Sequence, residues 1–324
     1  MSIPNKLPGQ ANEEKWAEYS ALLDAVEGRK VAAVERLPGM FRGVCQDLSL
    51  AQYRMEGMSA VESLNALVIR GYKHLYRQRS AGFAAIMRFF AVTFPGCVRR
   101  EWRLFWLCSL LFWGPFVGMF LAARSDLAWV QAILGDSGML GLEQMYGGDS
   151  GNQVEHLRSE YGSNFMMFGH YISNNVAIDF RIFGGGILAG LGTMFFLIFN
   201  GLAIGASAGY VQLAGNPESF WTFVAGHSSF ELLGMIVAGM AGMRLGLGVL
   251  RPGRLTRGQA LAGAAKRALP LLYGATAMTV LAAFVEGFWS AQPLPANLKY
   301  IVGAVFWLAW SVYFLRTGKG YNEA

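Results

Sequence analysis

Between Ile182 and Met243 the chain carries no lysine or arginine, and the only acids in that interval are Glu218 and Glu231. A stretch this long and this poor in charge cannot form a water-exposed surface; it must be enclosed by protein or by lipid. The same character marks 104–123 (LFWLCSLLFWGPFVGMFLAA), 269–289 and 299–316. Runs of about 20 apolar residues match the thickness of a bilayer when helical. Charged residues make up 15% of the chain, against about 25% in soluble domains. The reading is an all-α, polytopic helical membrane protein with about five transmembrane helices, one of them re-entrant or broken. The expected spans are 104–123, about 182–206, 222–248, 269–289 and 299–316.

The opening residues MSIPNKLPGQANEEKW lack the apolar core of a signal peptide, so the first span is expected to serve as the insertion signal. Cys45, Cys97 and Cys108 are scattered and odd in number, which supports neither a disulfide framework nor a cysteine metal site. The net charge of +6 is assigned to basic residues held beside the spans, and nucleic acid is not an expected partner.

Residues 1–80 read as a soluble helical region. Asn12 is a candidate cap for a helix with Trp16, Tyr19, Leu22, Leu23 and Val26 on one side, and Pro38 suits the first turn of a second helix. Ser59-Ala-Val-Glu62 has capping-box form and opens a third apolar stripe from Val61 to Tyr76. Residues 81–103 mix Phe83, Ile86, Phe89, Phe90 and Phe94 with Arg88, Arg99, Arg100 and Arg103. That pattern suits an amphipathic segment in the headgroup layer of an anionic leaflet. The transmembrane domain is then 104–316, with an acidic loop at 124–181 and a C-terminal tail at 317–324.

Charge raises a difficulty for the span count. The 124–181 loop holds three arginines against seven acids, or 3 − 7 = −4, whereas Arg244, Arg251, Arg254, Arg257, Lys266 and Arg267 form a basic stretch without an acid. Five simple crossings place this basic stretch opposite the basic segment before the first span, contrary to the tendency of Lys and Arg to stay on the cytoplasmic side. A re-entrant element at 207–243 would remove the conflict, but such an element needs protein around it to satisfy its backbone.

The candidate intramembrane polar site is His227 and Glu231, with Asn200 and Glu286 as available partners on other segments. Positions i and i+4 share a helix face, and an acid at the centre of a span costs about 2.5 kcal/mol or more. The pair therefore serves as a hydrogen-bonded pin between helices, a proton or ion path, or metal ligands. HSSFE is not the HExxH of zinc proteases and no third ligand is placed by sequence, so neither metal nor cofactor is expected.

Two further groups stand out. Gly201, Gly205 and Gly209, and then Gly239, Gly242 and Gly246, form small-residue strips that let helices approach closely. They predict that the two segments are neighbours, or, if a strip is exposed, a homodimer face. His170, Asn174 and Asn175 precede the second span, where the asparagines either cap a helix or donate amides at the membrane surface.

The order of these features resembles the stage II sporulation protein M family of bacterial membrane proteins. Asn174, Asn175, Ala177 and Phe180 precede a glycine-rich span; Asn200, Gly201 and Gly205 close it; His227, Glu231, Leu232, Gly239, Gly242 and Gly246 follow. The resemblance implies about five spans, no established enzymatic activity and, by the family's named member, a membrane anchor that gathers peptidoglycan-degrading partners. Ser228 stands where many members have glycine. Two functions are therefore carried forward. One is a non-enzymatic scaffold in the bacterial inner membrane, N-terminus cytoplasmic, with the bilayer, unidentified proteins and a second copy as partners. The other is a transporter or channel-like protein using the polar site at His227 and Glu231.

Overall fold

The computed structural model describes residues 8–27, 36–55, 57–75, 82–147 and 162–319, and among these it is helical without strands. The contacts divide the chain into two compact units, Met1–Ala84 and Ala85–Ala324. Tyr76 and most of the GGDSGN stretch at 147–152 fall outside the described residues.

The first unit comprises α1 (Pro8–Glu27), α2 (Leu37–Tyr53) and α3 (Met58–Leu75). Their apolar stripes meet: Tyr19, Leu23, Leu37, Val44, Ala51 and Leu64 are buried together, with Trp16, Leu48, Val61 and Val68 packed around them. Trp16 donates to Asp47 at 2.9 Å, and Arg70 bridges Asp24 at 2.6 Å and Glu27 at 2.9 Å. Pro38 lies in the first turn of α2. Two caps differ from expectation. α1 begins at Pro8, which leaves Asn12 inside it, and α3 begins at Met58, where Ser59 is already helical.

The second unit opens within α4 (Phe83–Arg88), followed by a π-helical turn at Phe89–Thr93 and α5 (Phe94–Arg100). α5 packs into the bundle, with Phe94, Cys97 and Val98 buried and Phe94 edge-on against Phe314, whereas α4 has no buried residue. Then follow α6 (Trp102–Ala123), α7 (Ala128–Tyr146), α8 (Asn164–Gly184), α9 (Leu191–Ala214), the short α10 (Pro217–Ala225), α11 (Ser228–Leu250), α12 (Arg257–Val285) with a π-helical end at Glu286–Ser290, and α13 (Ala296–Arg316). Five of the described helices are long and apolar enough to cross a membrane: α6, α9, α11, α12 with its π-helical end, and α13. α11 is the axis of the bundle, with 72% of its apolar window buried against 17% for α13.

Contacts fix the direction of each helix between the two ends of the bundle. At one end Gly242 of α11 touches Ile182 and Thr193, Gly246 touches Gly190, and Arg244 pairs with Glu101 at 3.2 Å. Arg99 closes this end by donating to the carbonyls of Phe314 and Thr317 at the end of α13, at 3.0 and 2.7 Å. At the other end Gly287 lies against Asn164 and Phe168, Gly226 against Trp289, and Gly303 against Ala225. α8 therefore starts beside Gly287 and finishes beside Gly242. It runs the length of the bundle as a sixth traverse, although it is too polar to count among the five spans.

This traverse removes the charge conflict. The expected second span, 182–206, is in fact the end of α8, a glycine-rich turn and most of α9. The turn through Gly185–Ile187 reaches Gly190 with a left-handed φ of 88°, and no Cβ could fit where Gly185 faces the Gly192 backbone. α9 continues unbroken to Ala214, so 207–243 is not a re-entrant pair. With α8 counted, Arg99, Arg100, Arg103, Arg251, Arg254, Arg257 and Arg316 all gather at the Gly246 end.

Candidate functional site

The centre of interest is the junction of α10 and α11. Asn216 caps α10 by accepting from the Ser219 amide at 3.1 Å, with Pro217 in the first turn. The helix ends after nine residues at Gly226, which faces the Trp289 ring and Ser290 so closely that a side chain would collide. His227 then takes the N-cap position of α11, and its carbonyl accepts from the Phe230 and Glu231 amides at 3.0 and 3.2 Å. The 222–248 span of the sequence reading is thus two helices, with the histidine at the joint.

Three ionisable side chains converge there. His227 Nε2 lies 3.9 Å from Glu231 Oε2 and 4.0 Å from Glu286 Oε1. The other ring nitrogen, Nδ1, is 3.1 Å from Ser290 Oγ. His227 and Glu286 are buried, at 4% and 7% exposure. Glu286 and Ser290 owe their positions to the π-helical end of α12; such single-turn insertions recur at functional sites because they re-aim side chains. Lys299 of α13, itself buried, donates to the Ser290 carbonyl at 2.8 Å. A cavity of about 550 Å³ adjoins the group, with His227, Ser228, Glu231, Trp113, Tyr146 and Tyr300 in its wall.

One ligand atom from each of His227, Glu231 and Glu286 lies within 4.8 Å of the others. The third ligand that spacing in the sequence did not place is supplied by folding, through Glu286. Imidazole and carboxylate are metal ligands, proton carriers and hydrogen-bonding groups, and the expected absence of a metal does not follow from this geometry.

The remaining candidates are placed elsewhere. Asn200 lies in α9, where its amide donates to the Phe196 carbonyl at 2.7 Å, and it is not part of the histidine group. Asn174 and Asn175 are not caps: they lie mid-way along α8, bonded to each other at 2.9 Å, and the cap is Ser163, which accepts from Met166. His170 lies on the same helix, its ring 5.9 Å from that of Tyr171. Gly201, Gly205 and Gly209 face α6, meeting Phe112, Phe116 and Ala123, whereas Gly239, Gly242 and Gly246 face Leu197, Thr193 and Gly190. The two glycine segments do meet, near Leu197 and Thr193, but the first strip is filled by α6 and does not offer a homodimer face.

Asp179 is a functional candidate that sequence reasoning passed over by counting it among the loop acids. It is fully buried, and Thr279 Oγ1 donates to its Oδ2 at 2.5 Å. The signal was its place four residues after Asn175 on one helical face.

A family model described as Stage II sporulation protein M matches residues 105–291, more than half of the chain. A domain of unknown function (DUF8413) matches residues 9–77. An uncharacterised protein of Methanocaldococcus jannaschii is similar, 28% identical over 107 residues, which are 31% of this chain and 60% of that protein. The chain thus covers less than two thirds of that relative. No solved structure matches.

Proposed function

We propose, from the premise that the chain belongs to the stage II sporulation protein M family, that it is a multi-pass membrane protein that moves a proton or small ion through a site at His227, Glu231 and Glu286. The observation that carries this is the convergence of the three side chains, from the start of α11 just after a helix break and from a π-helical turn, beside a cavity. Titratable groups within a membrane are costly and generally line pathways for ions or protons. No catalytic step belongs to this reading.

In its orientation, the end that gathers Arg99, Arg251, Arg254, Arg257 and Arg316 faces the cytoplasm of a bacterial cell, as the bias of Lys and Arg favours. The histidine group then lies toward the outer half. Purified protein in liposomes loaded with a pH-sensitive dye tests the reading. Flux above that of empty liposomes is expected, and Glu231→Gln should abolish it while the protein still elutes as a single species. Flux equal to the lipid background defeats it.

A second reading, a scaffold that recruits partners, is supported by a different observation. Residues 8–75 have a core of their own, yet Tyr53, Met55 and Met58 are strongly exposed, at 86%, 92% and 78%. Exposed apolar clusters mark docking surfaces. Under this reading the full chain co-purifies with an envelope or cytoplasmic protein, and Tyr53→Ser with Met58→Ser releases it.

A further inference from the structure

We propose that His227, Glu231 and Glu286 bind one divalent first-row transition cation, of the Zn²⁺ or Mn²⁺ class, with an open coordination position toward the adjoining cavity. The inference rests on the site named above but not on flux, since a metal that is held and never moved meets the same geometry.

Hydrogen bonds between nitrogen and oxygen span about 2.7–3.2 Å. At 3.9 and 4.0 Å the imidazole nitrogen is too far from either carboxylate for such a bond, yet it is the ring atom placed near both. With the ring proton on Nδ1, directed to Ser290 Oγ, Nε2 presents a lone pair to two oxygen acceptors. Three acceptor atoms then face one another across a gap. A cation in the gap satisfies all three.

An independent observation points the same way. Glu286 Oε2 is buried without a hydrogen-bond partner among the described residues, in a side chain only 9% exposed. Buried carboxylate oxygens are ordinarily satisfied, and an orphan calls for an explanation such as an ion. A pin between helices would have used both oxygens; a ligand awaiting a cation leaves them available.

Size and chemistry select the class. Bonds of about 2.0–2.2 Å to a tetrahedral ion set neighbouring ligand atoms roughly 3.4 Å apart, so the two edges at His227 close by about half an ångström and the remaining edge, within 4.8 Å, by up to about 1.4 Å. A side-chain rotation of Glu231 or Glu286 supplies it. The imidazole favours zinc or iron and the two carboxylates also suit manganese, whereas magnesium and calcium prefer all-oxygen shells. Ser290 acts behind the metal: its hydrogen bond with Nδ1 orients the ring, as outer hydrogen bonds to ligating histidines do. Lys299, bonded to the Ser290 carbonyl, holds that turn in place. Three protein ligands and an open fourth position, next to Ser228 and Glu231 in the cavity wall, is the pattern of sites that exchange a ligand or pass an ion on.

The test is metal binding to the full chain in detergent or nanodiscs, without any transport assay. Protein stripped with chelator is titrated with Zn²⁺, and separately with Mn²⁺, against a competing fluorescent chelator, with bound metal counted by mass spectrometry. One equivalent is expected, with Mg²⁺ failing to displace it. Glu286→Gln and His227→Gln should each weaken binding at least tenfold in protein that still elutes as one species. Ser290→Ala, which keeps all three ligands, should weaken it about 10- to 100-fold and keeps the test decisive if a ligand variant does not fold. Folded wild-type protein without saturable binding overturns the proposal. So does binding that is equal in the wild type and the folded variants. Proton flux through a protein that binds no metal would leave the transport reading standing and end this one.

Discussion

Thr279 Oγ1 lies 2.5 Å from Asp179 Oδ2, a bond that joins α8 to α12 in the interior of the bundle. It explains how a helix too polar to cross a membrane by composition is nevertheless held there: its acid faces inward to a hydroxyl, while Phe165, Met166 and Phe180 remain on the outside. The first prediction concerns this bond. Thr279→Val preserves the shape and removes the donor, leaving both Asp179 oxygens without partners among the described residues. Stability should fall by about 1–3 kcal/mol, the usual cost of stranding a buried polar group, read as a lower thermal midpoint in detergent. An unchanged midpoint would show that α8 is not held by this contact.

Gly242 makes a second prediction. Ile182 O and Phe183 O lie 2.8 and 3.1 Å from the place a Cβ would take, and Thr193 Oγ1 is closer still. The carbonyls are backbone and cannot swing aside as a flexible side chain can. Gly242→Val should therefore cost more than the ~1–3 kcal/mol typical of overpacked cores, with loss of the folded species on size exclusion. Gly118→Ala is the matched control on α6, since nothing lies within 4 Å of its Cβ position. Similar behaviour of the two variants would refute the close packing of α8, α9 and α11.

The apolar spans were legible because lipid imposes length and composition on any helix it surrounds: α6 and α13 match the expected bounds within a few residues, whereas α11 starts at Ser228, not at 222, and α12 at Arg257, not at 269. α8 was not legible for the converse reason. His170, Asn174, Asn175, Asp179 and Arg181 read as a loop, because a helix shielded by its neighbours is free of the rule. The polar site was half legible. His227 and Glu231 declare themselves by sequence spacing, but the Trp289 ring that packs on Gly226 beside them is more than sixty residues away. Ser290 and Lys299 join the site through the π-helical turn after Val285, and nothing in FVEGFWS announces an inserted residue. The glycine strips were recognised, but small residues show that something approaches and not which helix.

The third prediction is a pH dependence in the first unit. The Arg70 guanidinium, chiefly through its hydrogen bond to Glu27, holds that carboxyl below the usual glutamate range, with His74 adding to the effect. A carboxyl lowered on folding stabilises the folded form above its unfolded pKa, and that contribution is lost as pH falls through the lower folded value. Amide exchange in residues 8–75 of the full chain should therefore speed up as pH drops below about 4, once corrected for the intrinsic rate. Glu27→Gln should flatten that acid response and leave neutral-pH exchange only slightly faster, since exposed ion pairs contribute little. An acid response equal in both proteins would remove the pair as its cause.

The fourth prediction tests the six traverses. Five crossings put the 251–257 loop on the side opposite residues 99–103; six put them together, because α8 reverses the count between α7 and α9. Single cysteines at Arg254 and Asp136, in a chain whose Cys45, Cys97 and Cys108 are changed to serine, distinguish the two. Arg254 and Asp136 are exposed, so a membrane-impermeant maleimide has access to each from its own side. In intact spheroplasts the cysteine replacing Asp136 should react and that replacing Arg254 should not, and in inverted vesicles the pattern should reverse. Reaction of both from one side would mean that α8 does not traverse the bilayer. Its buried Asp179 would then have to be reached by water, and the placement of His227 between two apolar helices would lose its membrane context.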